Sequence, residues 1–303
     1  MNAIAKKAYR DRDRIVRAMT SDGFFRLAAI KNTKSVQAAR QSHGLSPLAS
    51  VLLGRAMSGA SLLASFLKSE ERIILEMQGS GPAQRVYAEA VQVGEVRGFV
   101  GNPHCMLDFT NPKTQLGDAV GIGVMKVSRI LYGNYEPVVG IVDLVQSDVS
   151  TDLAYYLQQS EQIPSAVLLD VQLTNDGAIQ QSGGLLVQAM PGAPEAAIEA
   201  MVESIRNLEK LPELYGDNFS PEEVLQMLAS HELKELSNTQ VDFFCRCTLD
   251  KFKASLITLG AQEIRSMKAE NQRELVCRYC GKKYHLSDYD FEELLLAASA
   301  REN

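Results

Sequence analysis

Cysteine is scarce in this chain, five in 303 residues, and four of the five fall between positions 245 and 280. A protein so poor in cysteine over most of its length has no disulfide framework, and its stability must come from a packed core. Met1 to Arg17 is charged and contains no apolar run, so no export signal is expected. Long uninterrupted apolar runs are missing as well. Leu48 to Leu67 is long enough to span a bilayer, but Arg55 stands near its middle among Gly54, Ser58, Gly59, Ser61 and Ser65, and the segment reads as a buried helix. Its small residues would let a neighbouring element approach the backbone closely, and Ser46-Pro47 supplies an N-cap and a first helical position. A phosphate-cradling loop is absent: in Gly79-Ser80-Gly81-Pro82-Ala83-Gln84 the third glycine of a dinucleotide loop is replaced by Gln84 and Pro82 interrupts the turn, which suits a tight hairpin connection better.

The residues that are present, 46% hydrophobic and 22% charged, suffice for a soluble globular protein with one good-sized core and small appendages. Charge divides the chain into three. Lys and Arg number 18 against 17 Asp and Glu over residues 1–192, 3 against 10 over 193–240, and 10 against 10 over 241–303. Pro191-Gly192-Ala193-Pro194 marks the first boundary. Before it, Arg72 to Gln78, Arg85 to Ala90, Glu95 to Val100, Pro137 to Val145, Ala166 to Leu173 and Gly183 to Met190 read as strands, rich in β-branched or alternating apolar residues. Helices are expected at Lys34 to His43, Pro47 to Lys68 and Thr151 to Gln159. Strands in runs with helices grouped apart indicate an α+β fold.

The acidic segment has a different character. Ile198, Met201, Val202, Ile205 and Leu208 recur at helical spacing within Pro194 to Leu211, and Ser220-Pro221-Glu222-Glu223 opens a second helix with an N-cap, a proline and the spacing of a capping box. Short helices carrying excess like charge are marginal alone and depend on docking against a neighbour.

Cys245-Arg246-Cys247 and Cys277-Arg278-Tyr279-Cys280 are two chelating pairs. Each pair can aim two sulfurs at one ion, and two pairs complete the tetrahedron of a closed structural Zn²⁺ site. The competing reading is a disulfide pair of pairs, which lacks an oxidising destination here. The CxC half is unusual among zinc knuckles and points to redox chemistry, because a zinc-bound thiolate is already deprotonated and remains nucleophilic. Oxidation would remove all four ligands together, with an apparent folding contribution of about 10–16 kcal/mol. His285, five residues after Cys280, could replace a cysteine ligand, but with four sulfurs present it reads as a neighbouring or surface residue. His104 and Cys105 are adjacent and so face different ways, with no orienting acid, which argues for an inert thiol and against an enzyme. A zinc-ribbon nucleic-acid binder is the chief alternative, with Lys251, Lys253, Lys282, Lys283 and Tyr284 as a possible patch; neutral charge over 241–303 and an acidic neighbour weigh against it. A thiol oxidoreductase would need a thioredoxin-like strand and helix around the CxxC.

Several segments resemble one family, the redox-regulated bacterial chaperone heat shock protein thirty-three: Leu53-Gly54-Arg55, the run from Tyr155-Tyr156 through Ser160-Glu161 to Pro164, the run from Gly183-Gly184 through Gln188 to Pro191, and the two cysteine pairs in that order. The resemblance extends over essentially the whole chain. It implies a mixed α and β core over 1–192, an acidic helical linker over 193–240 and a zinc-binding redox switch over 241–303. It further implies that Cys245, Cys247, Cys277 and Cys280 bind one zinc in the reduced protein. Oxidation is expected to form Cys245–Cys247 and Cys277–Cys280 disulfides, release zinc and unfold the linker. The expected product is an ATP-independent holdase of the cytoplasmic stress response that binds unfolded clients, dimerises when oxidised and hands clients to ATP-dependent foldases, with no nucleic-acid or membrane partner. Cys105 lies outside that pattern.

Overall fold

The computed structural model describes residues 9–133, 136–208, 210–216, 220–228 and 233–302, and the chain divides into two units, Met1–Phe244 and Cys245–Asn303. In the first unit the order is β1 (Arg14–Thr20), β2 (Phe25–Lys31), α1 (Thr33–His43), α2 (Pro47–Ala64), β3 (Arg72–Gly79), β4 (Arg85–Val91), β5 (Glu95–Val100), a 3-10 turn at Leu116–Ala119, β6 (Gly123–Ile130), β7 (Val138–Asp143), α3 (Val149–Ser160), β8 (Ser165–Leu173), β9 (Ile179–Ala189), α4 (Glu195–Arg206), α5 (Leu211–Gly216), α6 (Pro221–Leu228), β10 (Leu233–Gln240) and β11 (Asp242–Phe243). The second unit holds α7 (Leu249–Ile257), α8 (Ala261–Ala269), β12 (Glu274–Val276), β13 (Lys283–His285) and α9 (Asp288–Glu302). The class is α+β.

Two sheets face each other across α2. One has the order β10-β1-β2-β9-β8 and is antiparallel throughout; the other has the order β11-β5-β4-β3-β6-β7 and is antiparallel except for the parallel β11–β5 pair. Helix α2 starts where Ser46 accepts a hydrogen bond from the Ala49 amide at 3.2 Å, and it is buried almost all round. By length and composition it could cross a membrane, but 83% of it is buried among protein side chains, which makes it the core helix the sequence predicts. Its small residues do what the sequence suggests. A Cβ on Gly54 would stand 2.7 Å from Val171 Cγ2 and 2.8 Å from Val36 Cγ1, so β8 and α1 approach only because that position is bare. Arg55 leaves the apolar layer by pairing with Asp148, the N-cap of α3, and with Asp170 on β8 at 2.9 Å.

The outer face of the first sheet is covered by the acidic segment. Met201 of α4, Leu211, Leu214 and Tyr215 of α5, and Val224, Leu225 and Leu228 of α6 are buried against Val16, Phe25, Leu27, Leu185 and Val187. Tyr215 is fully buried and donates its hydroxyl to the Ile30 carbonyl at 2.9 Å. At the start of α6, Glu223 and Ser220 cap reciprocally, and Glu222 takes a two-pronged ion pair from the buried Arg14, at 3.1 and 2.8 Å.

The structure departs from the sequence reading in three ways. Residues 233–240, expected as part of a helical linker, form strand β10, paired with β1 from Arg14↔Gln240 to Thr20↔Leu233. Its side chains are mostly exposed and polar, so main-chain bonding to an open sheet edge, and no hydrophobic period, makes it a strand. Strands β1 and β2 were not expected: Arg and Lys at their ends, with Ala28 and Ala29 inside β2, hide two strands that are buried on both faces. Strand β6 was overlooked too, although Met125 and Val127 alternate with Lys126 and Ser128 in the way a half-buried strand requires.

Candidate metal centre

Both cysteine pairs are placed by short local structure in the second unit. Cys245 and Cys247 lie in an irregular stretch before α7, which begins where the Thr248 hydroxyl accepts from the Lys251 amide at 3.2 Å. Cys277 and Cys280 occupy the turn of the β12–β13 hairpin. The Cys277 amide donates to the Lys282 carbonyl at 2.8 Å, and the Gly281 amide returns to the Cys277 carbonyl at 2.8 Å. Gly281 holds φ at +68°, a conformation that strains most side-chain-bearing residues, so the knuckle needs glycine there.

These two pieces bring all four sulfurs within 4.8 Å of one another. Cys245 Sγ is 3.9 Å from Cys277 Sγ, and Cys247 Sγ is 3.5 Å from Cys280 Sγ. A tetrahedron with metal–sulfur bonds of about 2.3 Å has edges of about 3.8 Å, whereas a disulfide needs sulfurs about 2.05 Å apart. The four sulfurs are therefore not joined as disulfides and are spaced to hold one metal ion, with Cys277 buried and the other three half-buried. An all-sulfur, tetrahedral donor set suits a soft or borderline ion such as Zn²⁺.

Tyr284 on β13 closes one side. Its hydroxyl reaches the Cys247 carbonyl at 2.8 Å and the Cys247 sulfur at 3.3 Å, and its ring leans on Phe252 with centroids 5.3 Å apart. Burial works against ionising Cys247, but the Tyr284 hydroxyl and the other thiols outweigh it and bring that thiol to about 7. Burial pushes Cys277 and Cys280 up, and the hydrogen bond to Cys247 pushes Tyr284 up. Sequence reasoning placed Tyr284 in a basic patch and missed this contact, because an aromatic four residues after a cysteine carries no signal of its own.

Around the knuckles the apolar cluster is small, with Ala261, Ile264, Leu286, Phe291, Leu294 and Ala298 buried. Polar ties supplement it: Ser287 and Asp290 cap α9 reciprocally, Lys253 pairs with Asp290 and, at 3.0 Å, with Glu293, and Arg273 pairs with Asp288 at 2.7 Å. Lys283 pairs with Glu274 at 3.0 Å and Lys251 donates to the Arg246 carbonyl at 2.7 Å. Most of the lysines of the supposed phosphate-binding patch are thus spent on local acceptors, and the nucleic-acid reading is not favoured. His285 is exposed on β13 and stands outside the sulfur cluster. Cys277–Cys280 sits in a hairpin turn, without the strand-to-helix setting of a thioredoxin site. Cys105 lies in the first unit, 1% exposed, with burial pushing its thiol up.

The family model described as Hsp33 protein matches residues 13–287. The chain belongs to the Hsp33 family. Curated relatives called 33 kDa chaperonin agree with this along nearly their whole lengths. That of Desulforamulus reducens is 35% identical over 286 residues, 93% of this chain and 97% of its own. That of Synechococcus sp. is 38% identical over 294 residues, 95% of this chain and 91% of its own. The crystal structure of the 33 kDa chaperonin from Thermotoga maritima superimposes with a TM-score of 0.88 at 32% identity, over 96% of this chain and all of that one. Hsp33 proteins are chaperones, and a four-cysteine cluster able to hold a metal ion fits a redox-active member of that family.

Proposed function

We propose that this protein is a redox-regulated, ATP-independent holdase chaperone of the cytoplasm, resting when reduced and zinc-bound and active when oxidised. The observation that carries the reading is the convergence of four thiols at tetrahedral spacing in a unit with a small core. It gains weight from an apolar sheet face that is covered by an acidic segment. Cys245, Cys247, Cys277 and Cys280 are the ligands. Zinc, when bound, keeps the four sulfurs as thiolates and supplies the cross-link that so small a core cannot.

Oxidation joins Cys245 to Cys247 and Cys277 to Cys280. Each pair gives two electrons to one equivalent of a peroxide-class oxidant, whose oxygens leave as water. Four sulfurs held in disulfides are no longer ligands, and the 241–303 domain loses its support. The 193–240 linker, with ten acidic against three basic residues, then leaves the 1–192 core. Phe25, Leu27, Leu185 and Val187 are uncovered on β2 and β9 and bury against unfolding clients. The oxidised chain pairs with a second copy and passes clients to ATP-dependent foldases.

Light scattering from a thermally unfolding client tests this, with reduced and oxidised samples of one preparation and no ATP. Suppression by the oxidised sample alone is expected. Equal protection by both would leave a constitutive metal-stabilised binding protein as the better account.

A further inference from the structure

The segments Tyr155 to Pro164 and Gly183 to Pro191 take part in the resemblance but have no task in the thiol switch, and the fold brings side chains of both to one cavity. It measures about 110 Å³ and lies between the two sheets beside the end of α2. Arg26 of β2 and Gln188 of β9 line it from the first sheet, Arg129 of β6 from the second, and Glu161 follows α3; Phe66 and Leu157 give it apolar walls.

Charge in this cavity does not close. Two guanidinium groups face one carboxylate, and that carboxylate is fully engaged: Glu161 pairs with Arg129 through one oxygen and accepts the Tyr156 hydroxyl at 2.9 Å through the other. Arg26 places its Nε on Gln188 Oε1 at 2.8 Å and its guanidinium 4.6 Å from the Phe66 ring centre, with no carboxylate partner among the described residues. Arg129 Nε is buried without a hydrogen-bond partner. Arg17 adds positive field from across Phe66, although its own donors are used on the Ser65 carbonyl and the Ser237 hydroxyl. Burial, and then repulsion from Arg129, lower the affinity of Arg26 for its proton, and attraction by Glu161 offsets this only in part. The Nε atoms of Arg55, Arg72 and Arg85 are also without partners although those arginines are paired with carboxylates, so the distinguishing feature is the spare positive charge, which a closed structural ion network would not leave inside a cavity.

We propose that this cavity binds a small oxyanion, held by Arg26 and Arg129 across the two sheets, with Glu161 and Gln188 fixing the two guanidinium planes. A volume of about 110 Å³ has room for inorganic phosphate or a short carboxylate. Arginine is the residue suited to planar, forked recognition of either anion.

The test is a titration of the full reduced chain with inorganic phosphate, and separately with acetate, followed through arginine Nε–Hε resonances, with sodium chloride at matched ionic strength as reference. Saturable shifts of Arg26 and Arg129 are expected with at least one oxyanion and not with chloride; the two arms decide between phosphate and carboxylate. Arg26→Gln should weaken binding about tenfold or more, the worth of a charge-assisted hydrogen bond. Glu161→Gln should tighten it by removing the competing charge. Shifts that merely follow ionic strength, or unchanged affinity in Arg26→Gln, would overturn the site. Should Arg26→Gln fail to fold, the wild-type titration and the opposite sign expected of Glu161→Gln still decide, since weaker binding in that variant refutes the charge argument.

Discussion

At the scale of single residues the sulfur cluster rests on more than its four cysteines. Tyr284 bonds the Cys247 sulfur and carbonyl and is itself propped by Phe252, so it fixes the orientation of the CxC segment. Tyr284→Phe keeps the ring and deletes the hydroxyl. We expect metal affinity to fall by about 10- to 100-fold, the usual effect of losing a partner that orients a ligand, measured by competition with a chromogenic chelator. Unchanged affinity would make Tyr284 a packing residue only. The cysteines were legible in the sequence because chelating pairs are local, and spacing alone puts two sulfurs on one turn. Tyr284 was not, and neither were Arg26 and Arg129: their partners come from other strands, and which arginine loses its acceptor is decided by sheet register.

Among elements, the docking of α4, α5 and α6 matters most. The helical periods of α4 and α6 and the capping box at Ser220 could be read directly, whereas α5, only six residues long, was not expected, and the sheet they cover was concealed, since β1 and β2 carry charged ends and alanines that weaken any local strand signal. Two attachments stand out. Tyr215 fills the α5 site and bonds Ile30, so Tyr215→Ala should cost about 3–5 kcal/mol of local stability, as for other large-to-small changes of buried aromatics. It should give partial client protection in the reduced protein with all four thiols unoxidised, seen by light scattering; a variant as inactive as the parent would separate linker docking from activity. The second attachment is electrostatic. Burial alone would raise the Glu222 carboxyl, but Arg14 and neighbouring hydrogen bonds outweigh it and bring it from 4.5 to about 2. A carboxylate held low in the folded state stabilises that state above its ordinary value and loses the effect as pH falls toward the lowered one. After allowance for solvent at this half-exposed position the pair is worth of order 1–2 kcal/mol. Amide exchange across 221–228, corrected for its intrinsic pH dependence, should therefore rise between about pH 4.5 and 2, and Glu222→Gln should flatten that rise; an unchanged profile in the variant would remove Arg14–Glu222 from the docking argument.

For the whole molecule the question is where opening begins once the thiols are oxidised. Strand β11 stops two residues before Cys245, and β10 precedes it, so both are covalently continuous with the proposed switch. Strand β10 buries little: Lys234, Glu235 and Leu236 are exposed, and its hold on β1 is mainly a hydrogen-bond ladder. Such bonds contribute about 0.5–1.5 kcal/mol each and are open to competition from water. Helices α5 and α6, by contrast, bury Leu214, Tyr215, Leu225 and Leu228, which adds about 1.5–3 kcal/mol per large side chain. Segments rich in exposed backbone bonds open at lower free energy than those rich in buried apolar contacts. After addition of peroxide, peptides covering 233–240 should thus lose hydrogen-exchange protection first and 211–228 later, with α2 and the strands flanking it staying protected throughout. If 211–228 opens before 233–240, release begins at the apolar face itself. The linker's self-repulsion, more than the chain leading to the cysteines, would then drive it.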